Sequence, residues 1–117
     1  MRIKHFSEVA PIQSDKIGIV GAEKLDVRPL VTRADGASIF TMVLLELGPE
    51  GSTPEHRHQR EEEIFVKAGT GILKHSGQDI LLRPGHAVFI GPNEVHQFVN
   101  PGNKVLELLC LTLIQSE

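Results

Sequence analysis

His56 and His58 stand two residues apart in Pro54-Glu-His56-Arg-His58, and a carboxylate, Glu62, follows four residues later. On an extended chain residues i and i+2 project to one side. The two imidazoles are therefore expected to enter a single volume. A turn through Gln59, Arg60 and Glu61 would return Glu62 as the first residue of the next strand. A third imidazole, His96, lies far downstream in Gly91-Pro-Asn-Glu-Val-His96-Gln-Phe-Val-Asn100. Three neutral imidazoles and one carboxylate suit one divalent transition metal, with Mn, Fe, Ni, Zn and Cu all compatible. A metal that prefers six ligands would keep positions open for water, dioxygen or a bidentate anion. Such a cation polarises carbonyl and carboxylate oxygens. A redox-active one also supports oxygen chemistry, whereas zinc favours Lewis-acid or structural roles.

These residues also fall into a pattern that resembles the cupins. The first cupin motif reads Gly, five residues, His-x-His, three or four residues, Glu, six residues, Gly. His56, His58, Glu62 and Gly69 fit it, and Gly51 stands one residue nearer than the motif asks. The second motif reads Gly, five residues, Pro-x-Gly, two residues, His, three residues, Asn. Gly85, His96 and Asn100 fit; Gly91 replaces the Pro and Asn93 the Gly. Asn tolerates the left-handed backbone a turn Gly would adopt, and Pro92 can still stiffen the turn. The resemblance spans roughly residues 36 to 114 and is sharpest at the four candidate ligands. It implies an all-β fold, a double-stranded β-helix (jelly-roll or cupin barrel), with a metal inside. Cupins of this type include dioxygenases, oxalate-degrading enzymes, isomerases, lyases and ligand-binding regulatory domains.

The elements that must position the four side chains read as short strands. Ile39–Leu47 is apolar on both faces, as a strand covered on both sides would be, and Gly48-Pro-Glu-Gly51 is expected to end it. Strands are expected at 62–68, 72–75, 80–82, 87–90, 95–99 and 104–114, separated by Gly, Pro and Asn turns. Upstream, Lys16–Gly21 reads as a short strand, Ala22–Asp26 as a turn, and Val27–Thr32 as an edge strand because it carries Pro29. Residues 1–35 are read as an N-terminal arm with edge strands and residues 36–117 as the barrel, one domain overall. No amphipathic helical pattern intervenes, which points to a sandwich or barrel.

Composition bounds the function. The chain has 117 residues, a net charge of -3, five Phe and neither Trp nor Tyr. The absence of a basic stripe argues against a nucleic-acid partner, and no apolar run reaches membrane-spanning length. The one cysteine, Cys110, excludes an intrachain disulfide and fits a cytoplasmic setting. It lies in an apolar strand, where packing is the expected role. That strand, Val105–Ile114, is apolar on both faces, so a homodimer is expected to cover the outer one.

Strand parity places Ile64 and Val66 beside Glu62, and Phe98 and Asn100 beside His96, giving an apolar cavity around the metal. A slip of one residue would promote Glu63 in place of Glu62. A second acid or base would have to come from Glu46, Glu61, His75 or His86. The readings compatible with this set are a metal-dependent enzyme of the dioxygenase type acting on a small organic acid, a metal-dependent isomerase or lyase, and a non-catalytic small-molecule binder or sensor.

Overall fold

The computed structural model describes residues 1–114. The expected barrel boundary at residue 117 reaches residues 115–117, which lie outside the described residues. Nine strands follow in order: β1 (Ile12–Gln13), β2 (Glu23–Val31), β3 (Phe40–Ser52), β4 (Glu62–Ala68), β5 (Gly71–His75), β6 (Gln78–Leu82), β7 (Ala87–Ile90), β8 (Gln97–Val99) and β9 (Leu106–Leu113). Three short 3-10 turns are the only helical elements among the described residues. None of the described helices is long and apolar enough to cross a membrane.

All pairings are antiparallel, and the central path runs β6-β5-β8-β3-β9-β4-β7, with β2 on the other side of β3 and β1 beside β2. The sheet is curled because one strand serves both halves. Residues Phe40–Leu47 of β3 pair with β9, and its last residue, Ser52, pairs with β8. The all-β barrel expected from the turn spacing is present. Burial alternates along β4 and β9: Ile64 and Val66 of β4 and Leu106, Leu108 and Cys110 of β9 are buried, and they close the core with Leu25, Val27, Leu47 and Phe98. Their row-mates Glu63, Phe65 and Lys67 face outward.

Three local expectations change. Gly48-Pro-Glu-Gly51 bends β3 but does not end it; the strand continues to Ser52 through Glu50 at φ +66°. Gly51 tolerates this corner because a Cβ there would lie 2.7 Å from the Gly48 carbonyl oxygen. The Lys16–Gly21 run is not a strand. Ser14–Ile17 forms a 3-10 turn ended by Gly18 at φ +79°, since the flanking glycines favour turning over pairing. Conversely, Glu23–Asp26 is strand, not turn, because β3 pairs with Glu23, Leu25 and Asp26 across a register shift at Lys24. Pro29 does sit at an edge: β1 pairs with β2 only at Asp26 and Val27, and a register shift follows between Pro29 and Val31.

The corner is held by Asn100, which is fully buried. Its amide nitrogen donates to the carbonyls of Leu47 (2.9 Å), Gly48 (3.1 Å) and Lys104 (2.7 Å), and its Oδ1 accepts from the Gly102 N–H (3.0 Å). Its backbone bonds the same corner, N–H to Gly51 O and O from the Glu50 N–H, each 2.9 Å. Asn100→Ala is expected to strand several buried backbone groups and lower stability by about 2–4 kcal/mol. Urea unfolding of the purified variant measures this, and an unchanged midpoint would contradict the clamp.

Candidate metal centre

Past the β3 corner the chain runs beside the segment that enters β8. The Thr53 N–H donates to Phe98 O (2.9 Å) and the Phe98 N–H to Thr53 Oγ1 (2.9 Å). Three residues on, His56 and His96 form an antiparallel bridge, with N–H to O distances of 3.1 and 3.0 Å. Two imidazoles distant in sequence are thus register partners. His58 follows on the same side as His56, and Glu62 opens β4, as the turn through residues 59–61 implied. Asn93 fastens the two histidine loops together: its N–H donates to His58 O (2.7 Å), and its Oδ1 accepts from Gln59 Nε2 (3.2 Å). It does so at φ +63°, the left-handed geometry anticipated for a residue standing where the motif has Gly.

The four expected ligands come together, with one donor atom from each lying within 4.8 Å of all the others. Ring centroids of His56, His58 and His96 are 4.6–5.2 Å apart. Every Nδ1 meets a main-chain carbonyl two residues away: His56 with Pro54 (2.9 Å), His58 with Arg60 (2.7 Å) and His96 with Glu94 (2.8 Å). A carbonyl only accepts, so each Nδ1 carries the proton and each Nε2 is left as a lone pair. His58 Nε2 is buried without a hydrogen bond, although Glu62 Oε1 approaches to 2.5 Å. The two atoms are close but not aligned as donor and acceptor. His96 Nε2 lies 3.9 Å from the same oxygen. Convergent, mutually unsatisfied donor atoms of this kind fit a bound cation and would be a costly arrangement without one.

Burial lowers the His96 pKa, and the neighbouring imidazoles add to the effect against the opposing pull of the Glu94 carbonyl and Glu62. His96 is accordingly neutral, as a ligand must be. The Cys110 thiol is buried, and desolvation, with the Glu62 charge behind it, raises its pKa strongly. It packs in the core and is not a nucleophile.

The remaining candidates separate cleanly. Glu63 lies on the outer face, opposite to Glu62. Glu46 is paired with Arg28 at 2.7 Å, also outside. His86 Nδ1 accepts the Arg83 N–H within the turn. His75 alone comes near the cluster. It shares with His96 a cavity of about 170 Å³, walled by Leu73, Ile80 and Ile90 and opening between the edge strands β6 and β7. Glu94, not singled out from the sequence, stands at its mouth with Oε1 3.8 Å from His75 Nε2. Its place two residues before His96, on the same side of an extended segment, was the available signal. A larger cavity, about 510 Å³, lies elsewhere on the outer face and includes none of the four cluster residues.

His58→Ala is expected to abolish stoichiometric metal uptake, while His75→Ala leaves it intact; elemental analysis of both purified variants decides this. The depressed His96 pKa also sets a sign. The unfolded chain takes up the His96 proton at about pH 6.5 and the folded chain only at lower pH, so metal-free protein loses stability as pH falls below that value. Thermal melts between pH 8 and 5 should show the decline, and His96→Gln should flatten it.

A family model for the cupin domain matches residues 43–112, which include all four cluster residues. The chain is similar to the polyketide cyclase RemF of Streptomyces resistomycificus, at 31% identity and a TM-score of 0.91 over 98% of this chain and 80% of that one. It is 31% identical over 71 residues to an oxalate-binding protein of Thermotoga maritima, covering 60% of this chain and 59% of that protein. It is 33% identical over 76 residues to the HTH-type transcriptional activator RhaS of Klebsiella pneumoniae, covering 65% of this chain but 26% of the activator. The chain thus matches less than two thirds of the length of each of these curated relatives. The barrel, its topology and the matched span place this chain in the cupin family.

Proposed function

We propose that the protein is a metal-dependent enzyme acting on a small oxygen-rich organic molecule, with His56, His58, Glu62 and His96 holding one divalent transition metal. The observation that carries this reading is the set of three Nδ1 atoms engaged by main-chain carbonyls, which leaves three Nε2 lone pairs and one carboxylate aimed at one point. With one anionic ligand, a divalent cation keeps a residual charge near +1. It would polarise a carboxylate or carbonyl oxygen and, if redox-active, support oxygen chemistry.

The chain's own residues supply the rest. Leu73, Ile80 and Ile90 exclude water from the side of the cavity that reaches His96. The cavity's volume, about 170 Å³, falls below the roughly 300–1,000 Å³ usual for drug-sized ligands, which favours a substrate of few heavy atoms. His75 lies at its edge, with Nδ1 donating to the Val95 carbonyl (2.8 Å) and Nε2 beside Ser76 Oγ (3.5 Å) and Glu94 Oε1 (3.8 Å), contacts that a bound molecule would replace. Both RemF, a cyclase of polyketides by name, and the oxalate-binding protein are named for molecules rich in carbonyl or carboxylate oxygens. That supports a substrate with two oxygens spaced to chelate one cation, a dicarboxylate or a β-dicarbonyl.

A second reading, a binding or sensing barrel without turnover, is favoured by the names of the oxalate-binding protein and of RhaS. One experiment separates the two. The protein is loaded in turn with Mn, Fe, Ni, Zn or Cu and offered oxalate or acetylacetone, and substrate loss and oxygen uptake are followed together. Substrate loss with at least one metal, absent in His58→Ala, is the expected result. Oxygen uptake in step with it identifies oxygen-consuming chemistry, with peroxide release marking an oxidase and its absence a dioxygenase, and loss without uptake a reaction with no net oxygen consumption. Saturable binding without loss under every metal would replace the enzyme by the binding module.

A further inference from the structure

The cavity beside His96 is apolar along its walls and polar at its mouth, where His75 and Glu94 stand. Tight turns hold both residues. His75 ends β5 and pairs with Gln78 of β6 across a two-residue loop. Ser76 at φ +49° and Gly77 at φ +77° supply the left-handed pair that such a hairpin needs. The His75 Nδ1 donates to the Val95 carbonyl at 2.8 Å, so Nε2 of the neutral ring is a lone pair. Glu94 closes a turn on Gly91: its N–H donates to Gly91 O at 3.4 Å, and its Oε2 accepts the Gly91 N–H at 2.6 Å. One carboxylate oxygen is thereby committed to the backbone. The other, Oε1, lies 3.8 Å from His75 Nε2.

Two acceptors therefore face each other across the mouth. Neither can donate to the other, and their separation exceeds hydrogen-bond distance. Ser76 Oγ reaches the same Nε2 only at 3.5 Å. Among the described residues no Lys or Arg lines this cavity. A ligand group that enters the mouth meets acceptors alone, and the ionised Glu94 is the stronger of the two. A hydroxyl satisfies it by donating its proton to Oε1. A methyl displaces water from the carboxylate and returns nothing, and a second carboxylate is repelled.

We infer that Glu94 and His75 determine specificity by selecting a substrate that carries a hydroxyl on the end away from the metal. The inference rests on the metal-dependent reading above and narrows its substrate class. Beyond the oxygens that take the cation, the molecule bears an O–H donor a few atoms on, as a small hydroxylated carboxylic acid does. The hydroxyl donates to Glu94 Oε1, and His75, tied to Val95, keeps it beside the carboxylate. Both acceptors are fixed by backbone hydrogen bonds before anything binds, so little ordering opposes the contact. The short cavity, about 170 Å³, leaves room for only a few atoms between the two ends.

Calorimetric titration of the intact, zinc-loaded chain tests this without reference to turnover. Racemic lactate, glycerate and malate share one chelating head and end in a methyl, a hydroxymethyl and a carboxymethyl group. Oxalate, which has a chelating head and nothing beyond it, reports whether the loaded site takes a ligand. Glycerate is expected to bind about tenfold more tightly than lactate, less than a sealed site would give because the Glu94 side chain is 46% exposed, and more tightly than malate. In Glu94→Gln the Gly91 N–H retains the amide oxygen, so the NH2 faces the mouth and the acceptor becomes a donor. Malate should then overtake glycerate, at unchanged zinc content. His75→Leu, which leaves the Gly91 turn alone, should bring glycerate toward lactate without favouring malate. Oxalate binding with glycerate no tighter than lactate, or with the same order of acids in Glu94→Gln, would overturn this inference alone. A chain that takes up no zinc, or that binds neither oxalate nor any of the acids when loaded, would overturn the metal-dependent reading and this inference with it.

Discussion

The corner of β3 is the constraint from which the barrel and its centre both follow. A strand that pairs with β9 over its first half and with β8 at its end must bend where it passes between them. Bending exposes main-chain carbonyls that a buried position cannot leave unpaired. Asn100 meets that demand with a side-chain amide reaching Leu47, Gly48 and Lys104, while its own backbone bonds Gly51 and Glu50. Neither Asp nor Gln could replace it simply. Asp lacks the donor, and the longer Gln would have to displace its neighbours in a close-packed site.

What lies beyond the corner inherits its register. Ser52 opposite Val99 sets Thr53 against Phe98, and one extra residue on the Thr53–His56 side then brings His56 opposite His96. The metal centre is thus an extension of sheet pairing, continued past the regular strands as one isolated bridge. Main-chain carbonyls then act a second time, each fixing the tautomer of one imidazole two residues away. Rigid strands set where the rings stand, and local loops set which nitrogen faces inward. This division explains how a site built on turns can be preorganised.

The two faces of the sheet carry different chemistry because the side-chain period is two. Glu62 turns into the barrel beside Ile64 and Val66, and Glu63 turns out beside Phe65. A register slip of one residue would exchange them and empty the centre of its carboxylate. The buried apolar set on β4 and β9 prevents that slip, since it would bring Glu63 and Lys67 inside. The core therefore secures the site, although no core residue needs to touch a ligand of the metal.

Much of this was legible in the chain. His56, His58, Glu62 and His96 stood out by residue type and spacing, and strand parity counted from Glu62 and His96 put Ile64, Val66, Phe98 and Asn100 on the inner face, where all four are buried. These are local properties, governed by the period of an extended backbone and by turn residues such as Asn93. The readings that changed depended on partners remote in sequence. Lys16–Gly21 looked like a strand but had no row to join, Glu23–Asp26 became one because β3 provided a row, and Gly48–Gly51 bent a strand it was expected to end. Glu94 and His75 meet at the cavity mouth only because the segments that carry them are folded side by side. Hydrogen-bond pairing between distant segments is a property of the curled sheet as a whole, and the sheet alone decided these placements.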